Sequence, residues 1–176
     1  ARRGHGAGFC TFNGLALAAL RALGAGAKRV LILDLDAHCG GGTDELVGRH
    51  PSIDIVDIAV DAFDRYAPGP GNSLDLVERA TDYLPTLQRR LDSARGQAFD
   101  LCLYNAGMDP HQHCPVGGLA GIDAALLARR EQMVFEWCRD RRLPVAFVLA
   151  GGYLGPQLDR AGLVALHRLT LAAAAS

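Results

Sequence analysis

Apolar residues along the 176-residue chain fall into segments of two alternating kinds, spaced at helical intervals in one and run together in the other. A helix can run through Leu15, Leu17, Ala18, Leu20 and Leu23, with Asn13 as its cap and Gly24 and Gly26 as its stop. Residues 29–36 follow, short and rich in branched apolar side chains, as a buried strand would be. Residues 53–60 predict a second strand, 99–104 a third and 144–149 a fourth. Ser73 is placed to cap a helix carrying Leu74, Val77, Leu84, Leu87 and Leu91, which Pro85 kinks or restarts. Residues 122–138 and 158–171 predict two more helices. Strands separated by helices imply parallel pairing through right-handed crossovers. The expected fold class is therefore α/β, an open and mainly parallel sheet with helices on both faces. Reactive groups in such sheets gather beyond the carboxyl ends of the strands. The loops that follow Asp36, Val60, Tyr104 and Leu149 are thus the ones to read.

Bulk composition changes this picture little. The length suits one domain with a substantial core, and 49% apolar with 21% charged residues is ordinary for a globular protein. A formal net charge of −1, with no basic run, gives no reason to expect a nucleic-acid or anionic-membrane partner. No apolar stretch reaches the roughly 18 residues of a membrane span, and the alanine-rich residues 169–176 read as a helix end. The start lacks the apolar core of a secretory signal. Five scattered cysteines, an odd number, do not resemble a disulfide framework, so a reducing, cytoplasmic location is expected.

Candidate chemistry concentrates in three of the four loops. In the first, Asp34, Asp36 and His38 alternate, so that an extended backbone projects all three to one side. Two carboxylates and an imidazole at a strand end suit a hard or borderline cation, unless the carboxylates merely cap a helix or bind loop amides. Gly40, Gly41 and Gly42 suggest a tight backbone, or a plain turn, and not a phosphate loop, since no Gly-Lys-Ser/Thr follows. Past the third strand, Asp109 is placed to supply a further ligand. His111, His113 and Cys114 are ligand types that with Cys39 would make a second site, or are simply solvated loop residues. In the last loop Tyr153 follows Gly151 and Gly152, where its hydroxyl can enter a cleft or its ring can pack at a strand end. The rigid stretch from Tyr66 to Gly71 lines a cleft entrance or forms an ordinary surface turn.

Taken together, these motifs resemble the histone deacetylase family, whose bacterial members include acetoin-utilisation and acetylpolyamine deacetylases. Gly8-Phe-Cys-Thr-Phe-Asn13 resembles its G-F-C-x-x-N segment, and Asp34 to Thr43 its zinc loop. Asn105-Ala-Gly-Met-Asp109 with Gly117-Gly-Leu119 resembles its second ligand loop, and Gly151-Gly-Tyr153 its tyrosine loop. The resemblance implies an arginase/deacetylase-like fold and a single catalytic domain over 1–176, incomplete at its N-terminus. It implies one zinc on Asp36, His38 and Asp109, with Tyr153 polarising the substrate carbonyl and Gly151, Gly152 and Tyr66 near the substrate. Asp34 then orients the first of two adjacent catalytic histidines and helps to hold a potassium ion. That histidine pair, the general base and acid, falls immediately before Ala1, so this piece alone is expected to be inactive. The implied reaction is hydrolysis of acetyl-lysine in a protein, or of a small acetylated amine, by a metal-activated water.

Several positions depart from the family pattern. Gly41 stands where a second orienting carboxylate or amide is common, Cys39 where a second histidine is common, and Cys114 near a position that is often aspartate. Ala59 takes one side-chain ligand from the potassium site. Two alternatives follow. An arginase-like ureohydrolase would hold two manganese ions through Asp-Ala-His-x-Asp, whose second carboxylate is Gly40 here. A zinc-stabilised, non-catalytic module would bind an acyl-lysine or polyamine without cleaving it.

Overall fold

A computed structural model describes residues 1–176. Its centre is strand β1 (Val30–Asp34), buried along its whole length. Leu31 and Leu33 point into one apolar core, Val30 and Ile32 into another, as the two-residue period of a strand requires. The second core is closed by α1 (Gly14–Gly24) through Ala16 and Ala19, and by Val47 of α2 (Gly41–Val47). The first core is closed by α3 (Ala80–Ser93), α4 (Ala124–Asp140) and α5 (Arg160–Ala175). Helices therefore cover both faces, and no helix is long and apolar enough to cross a membrane.

The other strands are β2 (Ile53–Ala59), β3 (Ser73–Leu76), β4 (Leu101–Gly107) and β5 (Val145–Ala150). All neighbours pair in parallel, in the order β3-β2-β1-β4-β5. The chain thus winds outward from β1 to β3, then crosses back to build β4 and β5 on the other side. The reversal lies between β1 and β4, where the connections leave in opposite directions and open a crevice beyond the strand ends. Register brings Asp34 beside Asp57 on one side and Asn105 on the other.

Two local expectations need correction. Ser73 begins an edge strand, not a helix, because the open edge of β2 offers backbone partners that outweigh the helical spacing of Leu74 and Val77. The helix starts at Ala80 and carries Pro85 inside it without restarting. The tight backbone expected of Gly40, Gly41 and Gly42 is as read and is not a plain turn: Gly40 caps α2, and Gly41 and Gly42 form its first turn. A Cβ at Gly41 would strike the backbone of Asp64, and one at Gly42 the backbone of Ala1. The capping role expected of Asn13 is as read, its side chain accepting the Ala16 N–H at 2.9 Å.

Candidate active site

The loop leaving β1 is organised by its own carboxylates. The Asp36 N–H donates to Asp34 Oδ1 at 3.2 Å, and the His38 N–H donates to Asp36 Oδ1 at 3.0 Å. Asp34 turns away from the other two: its buried Oδ1 also accepts from Asn105 Nδ2 at 2.7 Å, which ties β1 to β4. Asp109, past β4, takes the third place. Its carboxylate is fully buried, with Oδ1 accepting the Ala37 N–H at 3.0 Å. The ligand atoms of Asp36, His38 and Asp109 lie within 4.8 Å of one another.

The chemistry of this trio fits a cation. His38 Nδ1 stands 3.1 Å from Asp36 Oδ1 and 3.1 Å from Asp109 Oδ2, more than a single N–H can serve. Asp109 Oδ2 is buried without a hydrogen-bond partner of good geometry, an orphan that a metal would satisfy. The carboxylates of Asp109 and Asp36 push the His38 imidazolium up to about 10, the effect of the same negative field that draws a cation. Two carboxylates and one imidazole are a donor set suited to zinc with open positions left over.

Glycines let neighbouring backbone reach these ligands. A Cβ on Gly107 would meet the Cα of Asp36, and one on Gly151 would enter the Asp109 carboxylate. Gly151 and Gly152 have φ of 60° and 95°, so only glycine sits there without strain. Gly151 lines the cleft above the trio, whereas Gly152 packs toward Leu163. The Tyr153 ring stands edge-on to His38, with centroids 6.4 Å apart, and lines the same cleft of about 900 Å³. Burial first, then the Asp109 and Asp36 carboxylates, push its phenol up to about 12, so it keeps its proton at neutral pH. Its N–H donates to the thiol sulfur of Cys114 at 3.3 Å, which explains how a cysteine serves at that position.

Two aromatic walls complete the cleft. Phe9 lies 5.6 Å from Tyr153 and Phe63 lies 6.0 Å from His38, both largely exposed. Phe63 had no signal in the sequence beyond being an apolar residue in a polar loop. Tyr66, expected at the entrance, is not among the lining residues. Its hydroxyl is buried beside Asp57, which raises it further after burial itself.

Beneath the trio lies a layer that sequence reasoning missed. Asp57 of β2 is fully buried, and its Oδ2 accepts the Gly40 N–H at 2.7 Å while Oδ1 has no partner. Burial pushes its carboxyl up to about 7. Burial, then Asp57, also raises Asp34 well above the usual range. Gly41 has no room for a side chain because Asp64 occupies it, accepting the Gly42 N–H at 2.9 Å and pairing with Arg2. Ala59 presents no side-chain oxygen to a potassium ion, and Asp34 Oδ1 is already taken by Asn105 and the Asp36 amide. A second cluster does not form. His111 and His113 meet edge to face with centroids 5.2 Å apart, but Cys114 is turned to Tyr153 and Val116, and Cys39 to the Asp61 carbonyl.

Comparison with known proteins agrees with this geometry. The histone deacetylase domain model matches residues 1–169. An uncharacterized protein of Picosynechococcus sp. is 36% identical over 155 residues, covering 85% of this chain and 51% of the relative. Histone deacetylase 2 of Arabidopsis thaliana is 31% identical over 158 residues, covering 85% of this chain and 41% of the relative. Among solved structures, an acetylpolyamine aminohydrolase of Burkholderia pseudomallei superposes with a TM-score of 0.83 at 22% identity, over 100% of this chain and 53% of that one. It shares the fold, and the chain spans about half the length of the proteins it matches, or less. By the extent of the domain match and the order of its loops, the chain belongs to the histone deacetylase family.

Proposed function

We propose that the chain carries the metal-binding part of a zinc-dependent deacetylase that hydrolyses acetyl-lysine or a small acetylated amine. The observation that carries this reading is the convergence of Asp36, His38 and Asp109 within 4.8 Å, with Asp36 and His38 lining an aromatic-walled cleft. These three residues hold one zinc ion. When bound, the ion supplies a Lewis acid for the amide carbonyl and makes water more acidic. Tyr153, protonated and beside the trio, donates to the carbonyl oxygen as charge develops there, worth roughly 3–4 kcal/mol where single donors have been removed elsewhere. Asp34 holds the ligand loop through the Asp36 amide and Asn105. Phe9 and Phe63 receive the uncharged acyl-amine stem, with the Gly151 backbone alongside. Hydrolysis also needs a base and an acid to move protons, and neither is among these residues.

Metal analysis of Asp36→Ala and Asp109→Ala in the full-length protein tests the site. One zinc per chain in the wild type and loss in both variants are expected, and full occupancy in both variants refutes the assignment. Two manganese ions per chain would favour the ureohydrolase. A zinc-loaded full-length protein inert toward an acetyl-lysine peptide and an acetylated polyamine would favour the binding module.

A further inference from the structure

Behind the ligand loops, on the side away from the cleft, α4 buries an ion pair with no solvent exposure at either member. Arg130 Nε donates to Glu131 Oε1 at 2.7 Å, and both residues are 0% exposed. The Tyr104 hydroxyl of β4 donates to the same oxygen at 2.7 Å. With its position fixed in this way, the guanidinium reaches both halves of the metal centre, while Nη1 also donates to the Tyr83 hydroxyl at 3.4 Å and Nη2 also pairs with Glu131. Nη1 donates to the Leu35 carbonyl at 3.1 Å, the peptide between Asp34 and Asp36. Nη2 approaches the sulfur of Met108, the residue before Asp109, at 3.8 Å.

A buried ion pair is weak as a source of stability, since an apolar pair of equal volume often does as well. Its geometry is what has value here. The Leu35 N–H is held by the Asn105 carbonyl, and the Met108 N–H by the Ala150 carbonyl, so Arg130 supplies the missing hold on the other side of each loop. Without it the buried Leu35 carbonyl loses a donor and the two loops lose their common anchor. We infer that Arg130, locked by Glu131 and Tyr104, is a positioning residue that sets the spacing of Asp36 and Asp109. This rests on the reading of the trio as a metal centre.

The test uses the full-length protein and the variant Arg130→Met with Glu131→Gln. Both charges leave together, and the glutamine still accepts from Tyr104, so no lone charge is buried. The melting temperature of the metal-free variant is expected near that of the wild type. Zinc affinity, read by competition with a chromophoric chelator, is expected to fall roughly 10- to 100-fold. The visible absorption of the cobalt-substituted variant is expected to shift. Unchanged affinity and spectrum overturn the proposal. Should the double variant fail to fold, Arg130→Lys decides by the same two readouts, because lysine keeps the charge and loses the planar fork. Asp36→Ala serves as the control. A wild type that takes up no zinc overturns the metal centre and the brace together, whereas normal uptake by wild type and Arg130 variants alike overturns the brace alone.

Discussion

Tyr153 shows how much of a side chain's role is set by its neighbours. Gly151 and Gly152 adopt positive φ, and this sharp change of direction after β5 brings the ring over His38. Cys114 then holds the backbone of the same residue through its sulfur. A phenol held protonated in this place acts on the transition state and contributes little to metal binding. Tyr153→Phe in the full-length protein is therefore expected to lower kcat by a factor of about 100 or more while zinc content stays at one per chain. Turnover equal to wild type would leave Tyr153 as an aromatic packed at a strand end. The pair of glycines and the tyrosine were legible in the sequence as a motif. That Gly151 is also the only residue that fits against the Asp109 carboxylate was not, because the two are far apart along the chain.

Among the elements, β2 carries the largest consequence that its sequence pattern concealed. Asp54 and Asp57 both interrupt an otherwise apolar strand, yet Asp54 pairs with Arg29 whereas Asp57 has no cation beside it. A carboxyl raised to about 7 in the folded state keeps a proton that the unfolded chain has already lost. Folding stability therefore falls as pH rises from about 4 to about 7, by at most roughly 1.4 kcal/mol per pH unit, and levels off above. Asp57→Asn removes this loss, since it stays neutral and can still accept the Gly40 N–H. The variant is expected to gain on the wild type between pH 5 and pH 8 in urea midpoint, and a difference that does not vary with pH would show that Asp57 is ionised throughout. The same strand explains the misreading of Ser73. Edge pairing to β2 is a contact between distant segments, and no local periodicity reports it.

For the whole molecule, the decisive feature is the reversal of strand order between β1 and β4, which brings loops 72 residues apart into hydrogen-bond contact at Ala37 and Asp109. The sheet has an open edge on its other side. β5 is an edge strand with Val148 and Leu149 exposed, facing a cleft that α1 flanks with Leu15 and Ala18. Unpaired strand edges with apolar surface invite association. Residues 1–176 produced alone are expected to self-associate with rising concentration in light scattering, and a monodisperse monomer at high concentration would contradict this. The amino-acid order by itself determined the alternation of strands and helices, the α/β class, and the residue types of the ligand loops, because these depend on local periodicity and on chemistry carried within a few residues. Only the tertiary structure decided that Asp34 is held by Asn105, that Phe63 and not Tyr66 walls the cleft, and that Asp57 and Arg130 underlie the centre. Each of these depends on which side chains from distant segments compete for one buried volume, and that competition is settled only when the sheet is assembled.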